Sequence, residues 1–187
     1  SAEEVKTHLS NSGCFPCITQ RPYAVIADPN DTPRDIFITG FSSAPLAASE
    51  VYALTGQEKD FQTGIYILNK LTTGKVHLSV SADEMGFFDK LDKVELYRVS
   101  GKHPAGNVGV QINKISPLNK GEKIWTVKPQ DVALIGRVFS SGKYDVTRVF
   151  AFAGSEVEKP QYYRAKYGTD LTGLFRKHVK NSKVRFI

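Results

Sequence analysis

The chain has 187 residues, of which 41% are hydrophobic and 24% charged, proportions typical of a globular protein and not of a disordered one. Lys and Arg outnumber Asp and Glu by 25 to 19, a formal net charge of +6. No stretch approaches the roughly 18 consecutive apolar residues that a membrane-spanning helix needs, so direct membrane insertion is not expected.

The first segment, through about Ser10, is predicted to be a helix that ends at Asn11-Ser12-Gly13 and whose start and cap we expect to lie upstream. Cys14 and Cys17 follow as a C-x-x-C pair, a spacing found in redox dithiols and in halves of zinc sites. A redox dithiol normally follows a strand and opens a helix, whereas this pair follows a helix. We therefore expect reduced, structural cysteines.

The middle of the chain alternates between strand and helix. Residues 36–40 form a short β-branched run, residues 58–71 place apolar side chains at helical spacing, and strands are predicted over 76–80 and 94–99. Such an alternation is typical of parallel strands joined by right-handed crossovers. The predicted fold class is α/β, with a Rossmann-like parallel sheet.

The pattern changes after a helix that is entered at Pro129-Gln130-Asp131 and ended by Gly142. Two hairpin strands, a helix and a returning strand are predicted over 146–152, 162–167, 171–179 and 183–187. This order is typical of the start of a ubiquitin-like β-grasp. We therefore predict a Rossmann-like α/β domain over residues 1–143 and a partial β-grasp domain, of the soluble-ligand-binding type, over residues 144–187.

The best candidate for a nucleotide site is the glycine-rich stretch GKHPAGNVG at residues 101–109. Glycines after a strand can let backbone amides approach a phosphate, but the spacing differs from G-x-G-x-x-G and Pro104 removes a donor. A tight turn that needs left-handed backbone is the alternative. The candidate cofactor-binding residues of this vestigial pocket are Gly101, His103, Pro104, Ala105 and Gly106.

No catalytic constellation and no metal-ligand spacing is evident in the sequence. His103 has no carboxylate partner nearby in the chain. His77 lies on the polar phase of its strand and is expected at a surface or interface, whereas His178 lies on the apolar face of its helix and is expected in the core. We predict no catalytic and no metal-binding residues.

Positive residues are dispersed until the last stretch, where Arg164, Lys166, Arg176, Lys177, Lys180, Lys183 and Arg185 occur. A net positive charge invites a nucleic-acid interpretation, but no aromatic and basic signature of an RNA-binding module accompanies it. We expect no nucleic-acid partner. Acidic protein subunits and anionic lipid headgroups explain the charge equally well.

Six short stretches carry a family resemblance. They are Ser12-Gly13 with Gln20-Arg21-Pro22-Tyr23, Ala44-Pro45-Leu46-Ala47-Ala48, Leu71-Thr72-Thr73-Gly74-Lys75-Val76, Gly101 with His103-Pro104-Ala105-Gly106, Gln130-Asp131-Val132-Ala133-Leu134-Ile135-Gly136, and residues 148–154 leading into Lys159-Pro160. In order and spacing across nearly the whole chain, they resemble the family formed by the A subunit of the bacterial sodium-translocating NADH:quinone oxidoreductase (NQR).

This resemblance implies a middle segment of a longer subunit, with a lipoyl-like domain upstream and the rest of the β-grasp and a helical region downstream. The family is similar to the flavin-carrying, NADH-oxidising subunit of respiratory complex I, whose glycine-rich FMN loop has no counterpart here. No cofactor is therefore expected on this chain, although the whole complex uses flavins, NADH and quinone.

The implied role is that of a peripheral subunit on the cytoplasmic side of the bacterial inner membrane. It would dock on the other subunits of the complex, especially the membrane-embedded ones, and shape quinone access while electrons pass from NADH to quinone and Na⁺ is exported. The alternative is a redox domain that itself binds flavin, NADH or quinone. The absent phosphate loop favours docking.

Overall fold

The computed structural model describes residues 1–186, which form a six-stranded and a two-stranded sheet. The larger sheet comprises β1 (Ile18–Arg21), β2 (Val25–Ile26), β3 (Asp35–Gly40), β4 (Val76–Ser81), β5 (Glu95–Val99) and β6 (Ile124–Val127), and the smaller one β7 (Thr147–Phe152) and β8 (Gln161–Lys166). The helices are α1 (Ala2–Asn11), α2 (Glu50–Ala53), α3 (Glu58–Leu68), α4 (Val108–Ile115), α5 (Pro129–Ser141) and α6 (Thr172–Arg176).

The larger sheet has a parallel centre. Its strand order is β2-β1-β6-β3-β4-β5; β6, β3, β4 and β5 run parallel, while β1 is antiparallel to both β6 and β2. The order β5-β4-β3-β6 is that of the first four strands of a doubly wound sheet. Strands β4 and β5 are added on one side of β3, and β6 is then added on its other side. The α/β prediction is confirmed.

Both faces of β3 are buried, because helices cover the sheet on each side. Ile36 and Ile38 join the main core with α3 and α5, whereas Phe37 packs with Ile112 of α4 and with Ile124 in a smaller cluster. Apolar runs buried on both faces are characteristic of parallel strands.

Helices α3 and α5 cross at two glycines that bring their backbones close together. A Cβ atom on Gly136 would lie 1.7 Å from the carbonyl oxygen of Asp60, and one on Gly64 would lie 2.1 Å from that of Val132. Neither position can accept a side chain without moving backbone. Next to the crossing, Arg137 of α5 donates to a carboxylate oxygen of Asp60 at 2.9 Å.

Several predicted boundaries differ from the structure. The first helix begins at Ala2 with Ser1 as its N-cap: the Ser1 hydroxyl accepts from the amide of Glu4, and the Glu4 carboxylate accepts from the terminal ammonium group of Ser1. The helix predicted over 171–179 shrinks to α6, because Gly173 lowers helix propensity and no side chain caps the N-terminus. Residues 183–186 form no strand, and Ile187 lies outside the described residues.

Five elements were not predicted: β1, β2, α2, α4 and β6. Helix α4 begins inside the glycine-rich stretch for which only a loop is predicted, and β6 is a run of four residues, too short for a periodic signal. Among residues 1–186, no helix combines the length and the apolar character needed to cross a bilayer.

Candidate functional site at the carboxyl edge of the sheet

The carboxyl ends of the parallel strands meet at one edge of the larger sheet, where doubly wound folds bind their ligands. Residues 41–49 leave this edge after β3, residues 100–107 leave it after β5, and residues 128–131 comprise the link after β6 and the first turn of α5. We call these three segments the carboxyl-edge loops.

The five candidate residues predicted from the sequence lie together in the loop after β5. Gly101 has φ = +127°, a conformation that favours glycine, and the peptide bond between His103 and Pro104 is cis. The exposed His103 ring places Nδ1 3.3 Å from the hydroxyl oxygen of Ser43, in the loop after β3. The histidine therefore contacts a hydroxyl group and not a carboxylate.

The loops after β3 and β5 pack directly against each other. The amide of Gly106 donates to the Ser43 hydroxyl at 2.7 Å, and a Cβ on Gly106 would lie 2.2 Å from the Ser43 amide nitrogen. Gln111 of α4 donates to the carbonyl of Ala105 at 3.2 Å and accepts from the hydroxyl of Thr39 at 3.1 Å. The Gly106 amide thus has a partner within the protein, which fits loop packing better than a phosphate cradle.

The β7–β8 hairpin is attached to the same edge through the first turn of α5. The side-chain amide of Gln130 donates to the carbonyl of Val149 and accepts from its N–H, both at 2.9 Å, in the manner of a neighbouring strand. Arg148 of β7 forms an ion pair with Asp131, and both side chains are largely buried. These contacts join the two sheets of the molecule.

Aromatic side chains make a second connection. The hydroxyl of Tyr162 on β8 accepts from the amide of Ser49 at 2.9 Å, and its ring packs on that of Tyr52 with centroids 4.3 Å apart. An open cavity of about 220 Å³ lies here, lined by Tyr52, Thr55, Val149, Tyr162, Tyr163 and Arg164. Its aromatic rings and one guanidinium group suit a planar ring that carries negative charge.

Glu50, at the start of α2, is the most perturbed acid at this edge. Its Oε2 atom is buried and has no hydrogen-bond partner among the described residues. Burial raises the pKa of the Glu50 carboxyl to about 7; the charge of Lys128 opposes this shift, and that of Asp131 adds to it. Sequence reasoning missed Glu50 because all of these neighbours are distant in the chain.

His77 occupies a buried position, so its predicted placement at a surface or interface was wrong. Its ring stacks on Phe37 with centroids 4.5 Å apart, Nδ1 lies 3.2 Å from the hydroxyl of Tyr97, and Nε2 lies 3.5 Å from a carboxylate oxygen of Asp35. Burial lowers the pKa of His77, and the nearby Asp35 opposes that shift. The polar phase of β4 faces inward because the α4 layer covers this side of the sheet.

The cysteines have the surroundings of structural residues. Both are free thiols; Cys14 is buried and Cys17 half-buried. Burial raises the pKa of the Cys17 thiol to about 12, with a smaller contribution from the charge of Asp131. A thiol that stays protonated is a poor nucleophile and a poor metal ligand.

The remaining histidines do not join the carboxyl-edge loops. His8 packs on Phe139 of α5 with ring centroids 4.5 Å apart, and His178 is half-buried after the end of α6. Within residues 1–186, no group of three or more His, Cys, Asp or Glu side chains is arranged to hold a metal ion.

Two family models match the chain. Residues 1–144 match the NqrA second alpha/beta domain, and residues 149–187 match the NQRA C-terminal domain. Proteins described as the A subunit of Na(+)-translocating NADH-quinone reductase are 35% identical over all 187 residues in Photorhabdus laumondii and in Hahella chejuensis, and 33% identical over 174 residues in Neisseria meningitidis. The chain spans 42%, 42% and 39% of these relatives' lengths.

A solved structure shares the fold. A chain of an NAD+-reducing NiFe-hydrogenase in the H2-reduced state superposes with a TM-score of 0.67 over 93% of this chain and 38% of its own length. The air-oxidized state gives a TM-score of 0.61 over 96% of this chain and 39% of its own. Sequence identity is 12% in both cases, so the likeness concerns the fold alone.

Proposed function

The chain belongs to the NqrA family, and on that basis we propose that it serves as a docking module of a sodium-translocating NADH:quinone reductase and does not itself oxidise NADH. Its partners in this proposal are the other subunits of the complex, especially the membrane-embedded ones. Its place is peripheral, on the cytoplasmic side of the bacterial inner membrane. There it supports electron transfer from NADH to quinone, coupled to Na⁺ export, by shaping quinone access.

The observation that carries the proposal is the packing of the carboxyl-edge loops. In nucleotide-binding relatives of this architecture, amides at this edge must be free to meet a phosphate. Here the Gly106 amide donates to Ser43, and the close approach of the two loops explains why residue 106 is glycine. This packing argues against a flavin or NADH phosphate at the predicted site residues, in a complex that as a whole would use flavins, NADH and quinone.

The domain boundary forms part of the same proposal. Residues 1–143 would be the Rossmann-like domain and residues 144–187 the start of a β-grasp domain. In support, β7 and β8 pair with each other and with no strand of the larger sheet among the described residues. An isolated antiparallel bridge between Val157 and Val179 supports a chain that returns towards the hairpin after α6.

The second candidate function is a redox domain that binds flavin, NADH or quinone itself. It is favoured by the 220 Å³ cavity, where Tyr52 and Tyr162 offer ring faces beside Arg164. A quinone head group is planar and is anionic as a one-electron-reduced semiquinone, so it matches this lining better than a dinucleotide does.

Fluorescence and absorption titrations of the purified chain with FMN, NADH and a short-chain quinone separate the two candidates. The docking role predicts no stoichiometric flavin or NADH binding, and co-purification of the chain with the membrane subunits. Saturable quinone binding that is lost in Tyr162→Ala and kept in the exposed control Tyr167→Ala would favour the second candidate. A bound flavin that NADH reduces would contradict the docking role.

Replacing His103 with Ala tests the loop after β5 directly. Because His103 is exposed and its side chain hydrogen-bonds only a serine hydroxyl within residues 1–186, the docking role predicts nearly unchanged turnover of the assembled complex. Turnover is measured as NADH-driven quinone reduction, with assembly checked by co-purification. A loss well beyond about tenfold, or 1.4 kcal/mol of barrier, with assembly intact would show that this loop takes part in the chemistry.

A further inference from the structure

The net positive charge of the molecule arises from its last part. Residues 1–146 contain 16 basic and 16 acidic residues, so they are formally neutral. Residues 147–187 contain 9 basic and 3 acidic residues, so this part alone carries the whole net charge of +6. We call residues 147–187 the basic lobe. A charge this concentrated produces a local field that a net charge spread over the molecule would not.

The cations of the basic lobe are exposed and unneutralised. Arg148 is the exception, because Asp131 pairs with it. The other eight side chains are exposed, and none forms an ion pair within residues 1–186: Lys159, Arg164, Lys166, Arg176, Lys177, Lys180, Lys183 and Arg185. In residues 1–146, the 16 acidic residues balance the charge of the 16 basic ones, and five of these basic side chains pair with carboxylates: Lys6, Arg34, Lys75, Lys123 and Arg137.

The densest stretch of the lobe is held against the rest of it. Residues 176–185 contain five cations and no acid. Backbone bonds fix the middle of this stretch: the Glu158 amide donates to the carbonyl of His178 at 3.0 Å, and the Lys180 amide to that of Glu156 at 2.9 Å. Phe186, which follows the stretch, is 45% exposed, and its ring centroid lies 5.5 Å from that of Phe175. Exposed cations thus stand beside an exposed aromatic ring.

We propose that the basic lobe binds the anionic phospholipid headgroups of a membrane surface. Five of its eight unpaired cations are lysines, which act as hydrated point charges on long flexible stems and suit a diffuse negative surface more than a shaped carboxylate or phosphate pocket. Each cation near an anionic membrane contributes on its own, so the effect accumulates along the surface. The tyrosine ring of Tyr167, which is 81% exposed, is suited to the headgroup region because its ring is apolar and its hydroxyl polar.

The inference rests on the proposed function only for the presence of a membrane nearby. Its test needs no other protein, so the two proposals can fail separately. Purified chain is sedimented with vesicles of phosphatidylcholine alone and with an equal mixture of phosphatidylcholine and phosphatidylglycerol. We expect binding to the mixed vesicles only, weakened by added salt because the charges are exposed to solvent.

Two variants with the same change in net charge locate the surface. Lys177→Glu, Lys183→Glu and Arg185→Glu together reverse part of the basic lobe, while Lys59→Glu, Lys90→Glu and Lys120→Glu reverse exposed lysines elsewhere. We expect the first triple to reduce partitioning onto mixed vesicles by about tenfold or more, and the second to leave most of it. Circular dichroism checks that both triples fold.

Three outcomes would overturn the proposal. The chain could remain in the supernatant with mixed vesicles at low salt. Both triple variants could lose binding equally, which would implicate net charge instead of the basic lobe. Finally, the first triple could bind mixed vesicles normally and yet fail to bind membrane subunits reconstituted in phosphatidylcholine, which would make the lobe a docking surface for an acidic protein.

Discussion

The pKa of Glu50 shows how strongly the ionisation of a single side chain depends on its surroundings. Its carboxyl is buried beside Lys128, Asp131 and Arg148, and burial outweighs the attraction of the two cations. An acid whose pKa rises on folding binds its proton more tightly in the folded state, so its ionisation opposes folding. The relevant window runs from the ordinary value of 4.5 to the folded value of about 7.

We predict that Glu50→Gln removes a pH dependence of stability. In the unsubstituted chain, ionisation of Glu50 should lower the free energy of unfolding by on the order of 3 kcal/mol as the pH rises from 4.5 to 7. The variant should gain stability relative to the original chain over that window. Urea denaturation at pH 5 and pH 8 measures the difference. Glu158→Gln, which removes an exposed carboxyl, is the control, and equal behaviour of the two variants would contradict the prediction.

At the scale of elements, the crossing of α3 over α5 depends on two residues without side chains. Close backbone approach at Gly64 and Gly136 lets the buried faces of both helices reach the same side of the sheet. Glycine costs helix stability relative to alanine, by about 1 kcal/mol at each position. The packing that this crossing permits must therefore stabilise the fold by more than the two glycines cost in helix propensity.

Gly136→Ala tests this balance. The added methyl group would meet the Asp60 carbonyl oxygen and force the helices apart, so we expect a loss of about 1–3 kcal/mol in the free energy of unfolding. Gly109→Ala on α4 is the matched control, because its methyl group meets nothing within 4 Å and should be neutral or stabilising. Chemical denaturation compares both variants, and a stable Gly136→Ala would mean that the crossing adjusts freely.

At the scale of the whole molecule, the Gln130 side chain of α5 is one of the groups that attach the β7–β8 hairpin to the larger domain, and it bonds to the backbone of β7. Gln130 satisfies both the N–H and the carbonyl of Val149, so Gln130→Ala leaves two backbone groups without their protein partner. We expect faster amide hydrogen exchange in β7 and β8, with β3, β4 and β6 unchanged.

Gln62→Ala provides the control for that experiment. Gln62 makes the same pair of bonds to the backbone of Asp92, at 3.0 and 2.8 Å, in a loop far along the chain from β7. Its loss should speed exchange near residue 92 and leave the hairpin protected. Faster exchange throughout the molecule in Gln130→Ala would instead mean that the two sheets unfold as one unit.

Local signals in the sequence predicted much of this architecture. The helical spacing of Phe61, Ile65 and Leu68 predicted α3, and Gly142 ends α5 in the left-handed conformation expected of a helix stop. The prediction that His77 lies at a surface or interface was wrong. Alternation along a strand separates the two faces of the sheet, but it does not show whether a helix covers the face that carries the polar residues. The site residues 101, 103, 104, 105 and 106 stay a prediction, now with a known set of contacts.

The sequence by itself determined the α/β class, the order of most elements and the family, because periodicity, turn residues and motif spacing are properties of neighbours in the chain. Only the tertiary structure decided that Ser43 meets Gly106, that Gln130 meets Val149 and that the Oε2 atom of Glu50 lies buried without a hydrogen-bond partner among residues 1–186. These pairs and that burial depend on which loops the parallel sheet brings to one edge. Desolvation and hydrogen bonding act through space, so no local pattern in the chain encodes them.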